Sequence, residues 1–304
     1  MKAIITTKYG PPEVLKIKEV DNPIPKNDEV LIKIKAISVT SGDCRMRAFN
    51  PPFWYFWLPM RLSLGIIKPR KPIQGLWFSG EIIEKGIETN KLSIGQQIYA
   101  RTMDLKFGAN AEYICLPETG LIALKPNNLS YEESVSIPFG AISAMYFLNR
   151  ANAKQDDKIL IYGASGSVGI AAVQLGKYIG TEVYAVCSTG NIELVKNNGA
   201  DYVFDYTKQN LTSLETKFDI VFDAVGKINK SIGHTFLKEN GKYISVLTSG
   251  HANIDHSKLY YITEMAEKGV LKPVIDKCFS FDQMVEAHRY VDKGHKRGNV
   301  VIKL

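Results

Sequence analysis

ILIYGASGSVGIAAVQLGK, residues 159–177, decides the fold. Ile159, Leu160, Ile161 and Tyr162 run without polar alternation, as a strand buried on both faces of a parallel sheet does. Three glycines follow at Gly163, Gly166 and Gly169, and the apolar residues Val168, Ala171, Ala172, Leu175 and Ile179 then recur at helical spacing. Strand, glycine turn and helix in that order open a dinucleotide-binding unit. In such a unit Gly163 permits the tight turn, Gly166 lets the backbone approach a pyrophosphate, and Gly169 lets helix and strand pack closely. Ser165, Ser167 and Val168 complete the loop, whose N–H groups at the helix start face the anion. The spacing is G-x-x-G-x-x-G, a variant of the commoner G-x-G-x-x-G, and a plain tight turn is the competing reading.

The chain has a different texture on each side of residue 125. Before it the signals are β: KAIIT, VLKIKEV, the alternating EVLIKIKAISV, GEIIEKG, QQIYAR and AEYICL, separated by turns rich in Pro, Gly and Asn. After it, helices alternate with apolar strands: the glycine unit, TEVYAVC, a helix from Ile192 to Asn197 closed by Gly199, then YVFDY, FDIVFDAVG and KYISVLT. This predicts a doubly wound parallel sheet. Near the end, SFDQMVEAHRYVDKG begins with a capping box, Ser280 to Gln283, and leads to a last strand, NVVIKL, that can return to the first domain. A length of 304 residues favours two domains. They are drawn as a β-rich domain over residues 1–125, completed by 270–304, and an α/β nucleotide-binding domain over 126–269.

Composition narrows the partners. The 38 Lys and Arg residues that give a formal net charge of +7 are spread along the chain without a long basic run, and no nucleic-acid module is visible. Cys44, Cys115, Cys187 and Cys278 lie far apart with no C-x-x-C pair, which argues against a disulfide framework and a sequence-local zinc site and fits a reducing cytoplasm. MKAIITTKYGPPE has no long apolar core and is not read as a signal peptide. The aromatic stretch PPFWYFWLPM, residues 51–60, is too interrupted to cross a bilayer, which takes about 20 apolar residues. Its alternatives are a loop packed on the core, a substrate-pocket wall, a subunit interface or a peripheral membrane contact.

Several segments together resemble the medium-chain dehydrogenase/reductases, in the zinc-free quinone oxidoreductase-like branch. They are MKAI, SVTSGDCRMR at 38–47, PIQGLWFSGEIIEKG at 72–86, SYEESVSIPFGAISAMYFL at 130–148, the glycine unit, GADYVFDY at 199–206, FDIVFDAVG at 218–226, and the C-terminal KPVIDKCFSFDQMVEAHRYVDKGHKRGNVVI. The resemblance covers almost the whole chain. It implies a GroES-like β domain built from both chain ends, with a Rossmann domain inserted between, and a homodimer. Zinc-dependent members carry a Cys near SVTSGDC and a Gly-His-Glu where this chain has Gly75, Leu76 and Trp77. Leu76 cannot bind a metal and Cys44 alone is not a zinc site, so no zinc is expected. Without a Lewis acid the substrate has to accept hydride by delocalising charge, as a quinone or an α,β-unsaturated carbonyl does.

The resemblance also places the site. It implies that Thr40 hydrogen-bonds the substrate oxygen and Asp43 organises the loop, with an internal Asp43–Arg47 salt bridge as the alternative. It sets Ser143 near the nicotinamide, Tyr206 against the adenine, and Val225, Gly226, Leu247 and Thr248 around the ribose and carboxamide. At the end of the second Rossmann strand the chain reads Val186, Cys187, Ser188, Thr189, Gly190, Asn191, with no acid to hold a ribose 2′-OH. Ser188 and Thr189 can donate to a 2′-phosphate, with Lys177 and Arg297 adding charge if the fold brings them near. NADP (as NADPH) is therefore expected over NAD, although Gly190 offers no charged contact. His234, His251 and His256 have no partner at recognisable spacing and are read as surface residues. The expected function is NADPH-dependent reduction of a quinone or enone; the alternatives are a zinc-independent aldehyde reductase and a non-catalytic NADPH-binding protein.

Overall fold

The computed structural model describes residues 1–51, 57–103, 107–250 and 252–304. In chain order the strands are β1 (Lys2–Thr6), β2 (Leu15–Glu19), β3 (Glu29–Ser38), β4 (Trp77–Lys85), β5 (Gln97–Arg101), β6 (Tyr113–Pro117), β7 (Ile122–Leu124), β8 (Lys158–Tyr162), β9 (Glu182–Cys187), β10 (Tyr202–Asp205), β11 (Phe218–Asp223), β12 (Leu237–Ser245), β13 (Ile275–Ser280) and β14 (Asn299–Lys303). The helices are α1 (Ser41–Ala48), α2 (Trp57–Leu64), α3 (Tyr131–Ser136), α4 (Pro138–Ala151), α5 (Ser167–Ile179), α6 (Ile192–Asn197), α7 (Lys230–Thr235), α8 (His256–Glu267) and α9 (Met284–Asp292). They form two units, one of Met1–Ser136, Asp255–Thr263 and Ile275–Leu304, the other of Ile137–Ile254 and Glu264–Val274.

The second unit is built on a parallel sheet in the order β10-β9-β8-β11-β12. β8 lies at its centre, and Ile159, Leu160 and Ile161 are all fully buried, which is why the strand shows no polar alternation. The strand order reverses between β8 and β11, the switch point at which open α/β sheets bind their ligands. α5 starts immediately after the glycine turn and stops at Gly180, whose φ of +91° only glycine adopts readily.

The first unit holds a sheet in the order β13-β14-β3-β4-β5-β7, with β6 pairing β3 beside β14, and a separate β1-β2 pair. The long β3 serves three neighbours: β4 along most of its length, β6 over Glu29–Lys33 and β14 over Ala36–Ser38. The last strand thus joins the N-terminal sheet, antiparallel to β3 and parallel to β13. Ile32, Ile34, Ile37, Phe78, Ile98, Val300 and Ile302 fill the core around it. α3 packs on β3, β4 and β14, so this unit extends to Ser136. Gln283 accepts the Ser280 N–H at 3.1 Å, but the capped segment is first a short 3₁₀ turn and only then α9. The aromatic residues 53–56 and His251 lie outside the described residues.

Candidate active site

The loops leaving the C-terminal ends of β8 to β12 hold the cofactor residues expected from the sequence, with Ser143 on α4 beside them. The three glycines after β8 differ in what surrounds them. Gly163 has φ +75°, and a Cβ there would lie 2.5 Å from Val225 Cγ1; a Cβ on Gly169 would lie 2.2 Å from the Gly163 carbonyl oxygen. Both positions are closed to a side chain. At Gly166 the nearest atom to a Cβ is the Gly163 oxygen at 3.6 Å, so the protein leaves that space open. Gly166 is the N-cap of α5 and supplies no side chain, leaving the first-turn amides of Val168 and Gly169 for an anion.

Across the switch point, the fully buried Asp223 carboxylate accepts the N–H groups of Val225 at 3.2 Å, Gly226 at 2.8 Å and Ile228 at 2.9 Å. These bonds fix the turn after β11. Gly226 has φ +75° and is so close to Leu247 that a Cβ would fall 2.3 Å from Leu247 Cδ1. Val225 thus borders Gly163 and Leu247 borders Gly226, with Thr248 exposed beyond. On α4, Ser143 Oγ donates to the Phe139 carbonyl at 2.9 Å, and one turn earlier Gly140 abuts Ser167 at the start of α5.

At the ends of β9 and β10, Asn191 Nδ2 donates to Ser165 Oγ at 3.1 Å and to Ser188 Oγ at 3.0 Å. Thr189 spends its proton differently, donating to Asp205 Oδ2 at 2.5 Å. Asp205 stands opposite Cys187 in the parallel register and also accepts from Thr207 N at 2.9 Å and Oγ1 at 2.6 Å. The Thr189 and Thr207 hydroxyls hold its carboxyl below the usual carboxylate range. Tyr206 next to it is half exposed, its ring centroid 6.2 Å from that of Tyr162. Lys177 does not bring the charge weighed for it, because it sits in the last turn of α5, away from the cradle, paired with Asp201 at 2.7 Å; Arg297 belongs to the first unit and pairs with Asp276.

In the first unit, Thr40 and Asp43 form the capping box of α1. Asp43 N donates to Thr40 Oγ1 at 3.2 Å, while Asp43 Oδ2 accepts the Thr40 N–H at 2.9 Å and its hydroxyl at 2.5 Å. Asp43 is buried and its Oδ1 has no partner. Burial outweighs the bonds from Thr40 and raises its pKa to about 6. Arg47 does not pair with Asp43; its Nη2 reaches Asp292 Oδ2 at 2.7 Å, and its buried Nε and Nη1 are unpartnered. Cys44 Sγ lies 3.4 Å from His288 Nδ1. Burial pushes the Cys44 thiol far up, with Asp292 adding to the shift, and burial followed by the Arg47 charge pulls His288 down to about 3.

Comparison with known proteins gives a consistent answer. The alcohol dehydrogenase GroES-like domain family matches residues 26–126, and the zinc-binding dehydrogenase family matches 167–272 and, in a second form, 247–302. The 2-methylene-furan-3-one reductase of Solanum lycopersicum is 34% identical over 324 aligned residues, covering 99% of this chain and 79% of the relative. The chain belongs to the medium-chain dehydrogenase/reductases. A chloroplastic NADPH-dependent alkenal/one oxidoreductase of Arabidopsis thaliana is 30% identical over 99% of this chain and 79% of its own length. The structure of the quinone oxidoreductase from Coxiella burnetii superposes with a TM-score of 0.86 at 27% identity, covering 100% of this chain and 99% of that one. The relatives place this medium-chain reductase in the quinone oxidoreductase-like branch.

The zinc of the family description does not fit the donors of this reductase. Cys44 has one histidine neighbour, with the Arg47 cation beside the pair; among the described residues no group of three His, Cys, Asp or Glu side chains could hold a metal. Leu76 and Trp77 are buried apolar side chains. A nicotinamide cofactor does fit, because the open space at Gly166 is what a pyrophosphate needs. Sequence reasoning missed Asp205, Asp223 and His288. For Asp205 the signal was present: YVFDY ends a strand that pairs in parallel with TEVYAVC, and parallel pairing brings the two strand ends together. His288 lies 244 residues from Cys44, and nothing local announces their contact.

Proposed function

We propose that this reductase transfers hydride from NADPH to a quinone or an α,β-unsaturated carbonyl, without zinc. The observation that carries the reading is the cradle, in which Gly163 and Gly169 are closed by neighbours while Gly166 faces open space. When bound, the cofactor supplies the hydride; the protein's part is to bind, orient and manage the proton. The Val168 and Gly169 amides would take the pyrophosphate, with Ser165, Gly166 and Ser167 around it, and Tyr206 the adenine. Val225, Gly226, Leu247, Thr248 and Ser143 would position the nicotinamide half. Ser188 keeps its own proton for a 2′-phosphate because it only accepts from Asn191. Thr189 gives its proton to Asp205, so the preference for NADPH over NADH rests mainly on Ser188 and is opposed by the Asp205 charge.

With no Lewis acid available from the donor set, the acceptor has to spread the incoming negative charge itself, as conjugated carbonyls and quinones do. The names of the tomato and Arabidopsis relatives describe substrates of that kind. Thr40 is the candidate donor to the acceptor oxygen. Its hydroxyl is taken by Asp43 while that carboxylate is ionised; once Asp43 carries a proton, the carboxyl donates to Thr40 Oγ1 and frees the Thr40 hydroxyl to turn outward. The proposal includes a cytoplasmic homodimer, which fractionation and light scattering would test. For the reaction itself, purified protein should oxidise NADPH in the presence of 1,2-naphthoquinone or an enone, faster than NADH, with substoichiometric zinc and no loss on chelation. No turnover with either acceptor, or loss on chelation, overturns it.

A further inference from the structure

Between Asp43 and Glu81 the chain has no acidic residue, yet it carries Arg45, Arg47, Arg61, Lys68, Arg70 and Lys71 among many apolar side chains. From Trp57 onward the structure shows how this segment is held. One side of α2 is anchored: the Trp57 and Phe49 rings meet edge to face at 6.1 Å, and the Arg61 guanidinium, one turn on, stands 3.7 Å from the Phe49 centroid and 5.0 Å from that of Tyr9. Leu58 and Leu62, each one position beyond an anchor and four residues apart, are 60% and 55% exposed.

After α2 the chain reverses in a closed turn. Gly65 has φ +122°, and a Cβ on it would fall 2.2 Å from the Lys68 carbonyl oxygen. The Arg70 N–H returns to the Leu64 carbonyl at 2.8 Å, the Tyr9 hydroxyl donates to the Gly65 carbonyl at 3.0 Å, and Arg61 Nη1 donates to the Ile66 carbonyl. The turn projects Ile66, 62% exposed, and Ile67, 85% exposed, at its tip, followed by exposed Lys68, Arg70 and Lys71. Single exposed aliphatics need no explanation, but Leu58, Leu62, Ile66 and Ile67 fall close together along an anchored helix and turn, followed by three exposed cations and with no carboxylate in the segment, the pattern of an interaction surface.

The geometry points to the surface of an anionic phospholipid bilayer as the partner. The exposed Leu and Ile side chains suit the acyl boundary, and the flanking Lys and Arg suit the phosphate layer just above it. The cations alone would also suit the phosphates of nucleic acid, but that partner offers no acyl-like surface for the Leu and Ile side chains. α2 is eight residues long, so the contact is peripheral and does not span. This inference does not depend on the hydride-transfer reading.

The full-length protein is to be sedimented with vesicles of phosphatidylcholine alone and of phosphatidylcholine mixed with phosphatidylglycerol, at low and raised salt. It should pellet with the anionic vesicles, weakly or not at all with the neutral ones, and less as salt rises. Replacing the cation cluster, Lys68→Gln with Arg70→Gln and Lys71→Gln, should weaken the partition roughly 100-fold, at about fivefold for each charge. Ile66→Ser with Ile67→Ser should weaken it while leaving its salt dependence in place. Melting curves with and without NADPH report folding in each variant, and if the Ser pair fails to fold the Gln triple alone decides. Absence of pelleting, pelleting indifferent to headgroup charge, or a Gln triple that binds like wild type overturns the assignment. So does concentration-dependent self-association through the same residues without vesicle binding, which would make the patch a subunit interface.

Discussion

A Cβ built on Gly190 meets no atom within 4 Å, and the backbone there is outside the left-handed region, so Gly190→Arg can be accommodated beside Ser188. A guanidinium at that point would pair with a 2′-phosphate and offset Asp205. Charge-assisted hydrogen bonds contribute about 1.5–3 kcal/mol, so NADPH affinity should rise at least tenfold with little change for NADH, as cofactor titration would read. Asp205→Asn acts on the same balance by removing a like charge, and should shift the preference further toward NADPH in the same titrations. Asp43 gives a pH signature. Its folded pKa of about 6 lies above the unfolded carboxyl value, so its contribution to stability is fully present below about pH 4 and is lost as pH rises through about 6. Relative to Asp43→Asn, the wild type should lose about 3 kcal/mol across that window in urea titrations. If Thr40 is freed only by a protonated Asp43, wild-type turnover falls over the same pH range and the Asn variant, whose amide always donates, does not. The sequence made the site's local parts readable, since Gly163, Gly166 and Gly169 sit between a recognisable strand and helix. It could not show that Thr189 spends its proton on Asp205, because that bond depends on strand register.

The elements follow a similar division. β8 and α5 could be read because burial on both faces and an apolar helical stripe leave strong periodic marks, whereas β7 has three residues, too few for any period, and β13 mixes Asp276 and Lys277 into its run. α1 carries the Thr-x-x-Asp pattern of a capping box in plain sight, but its anchor is not local: Arg47 reaches an aspartate 245 positions along the chain. That anchor is lopsided, with Arg47 almost wholly buried and the Asp292 side chain 36% exposed. Removing the acid therefore strands a buried cation that already has two unpartnered nitrogens, while replacing the arginine with an apolar side chain of similar reach removes the cation itself. Asp292→Ala should cost about 3 kcal/mol in chemical denaturation, and Arg47→Met distinctly less. Equal losses would mean that the pair, rather than the buried charge, governs α1.

For the molecule as a whole, one unit is assembled from three separated stretches of chain and closes on its last strand, while the cradle residues all lie in the other. NVVIKL shows its character in the sequence as a run of β-branched residues; its place beside β3 follows from pairing that only the folded chain displays. This arrangement predicts that stability and cofactor binding can be damaged separately. Ile302 is fully buried in β14, between β13 and β3, so Ile302→Ala leaves a cavity in the first unit and should cost about 3 kcal/mol. Melting temperature should fall by several degrees, while the further rise produced by NADPH stays as in wild type. Gly166→Val should do the reverse. Its Cβ has room within the protein, so the fold tolerates it, but the branched side chain fills the space left for the pyrophosphate. At 100 times the dissociation constant a ligand that binds only the native state adds about 2.7 kcal/mol, and it is this increment that the Val variant should lose. A Val variant that keeps the NADPH-induced shift would remove Gly166 from the cofactor contact and leave the glycine turn a turn only.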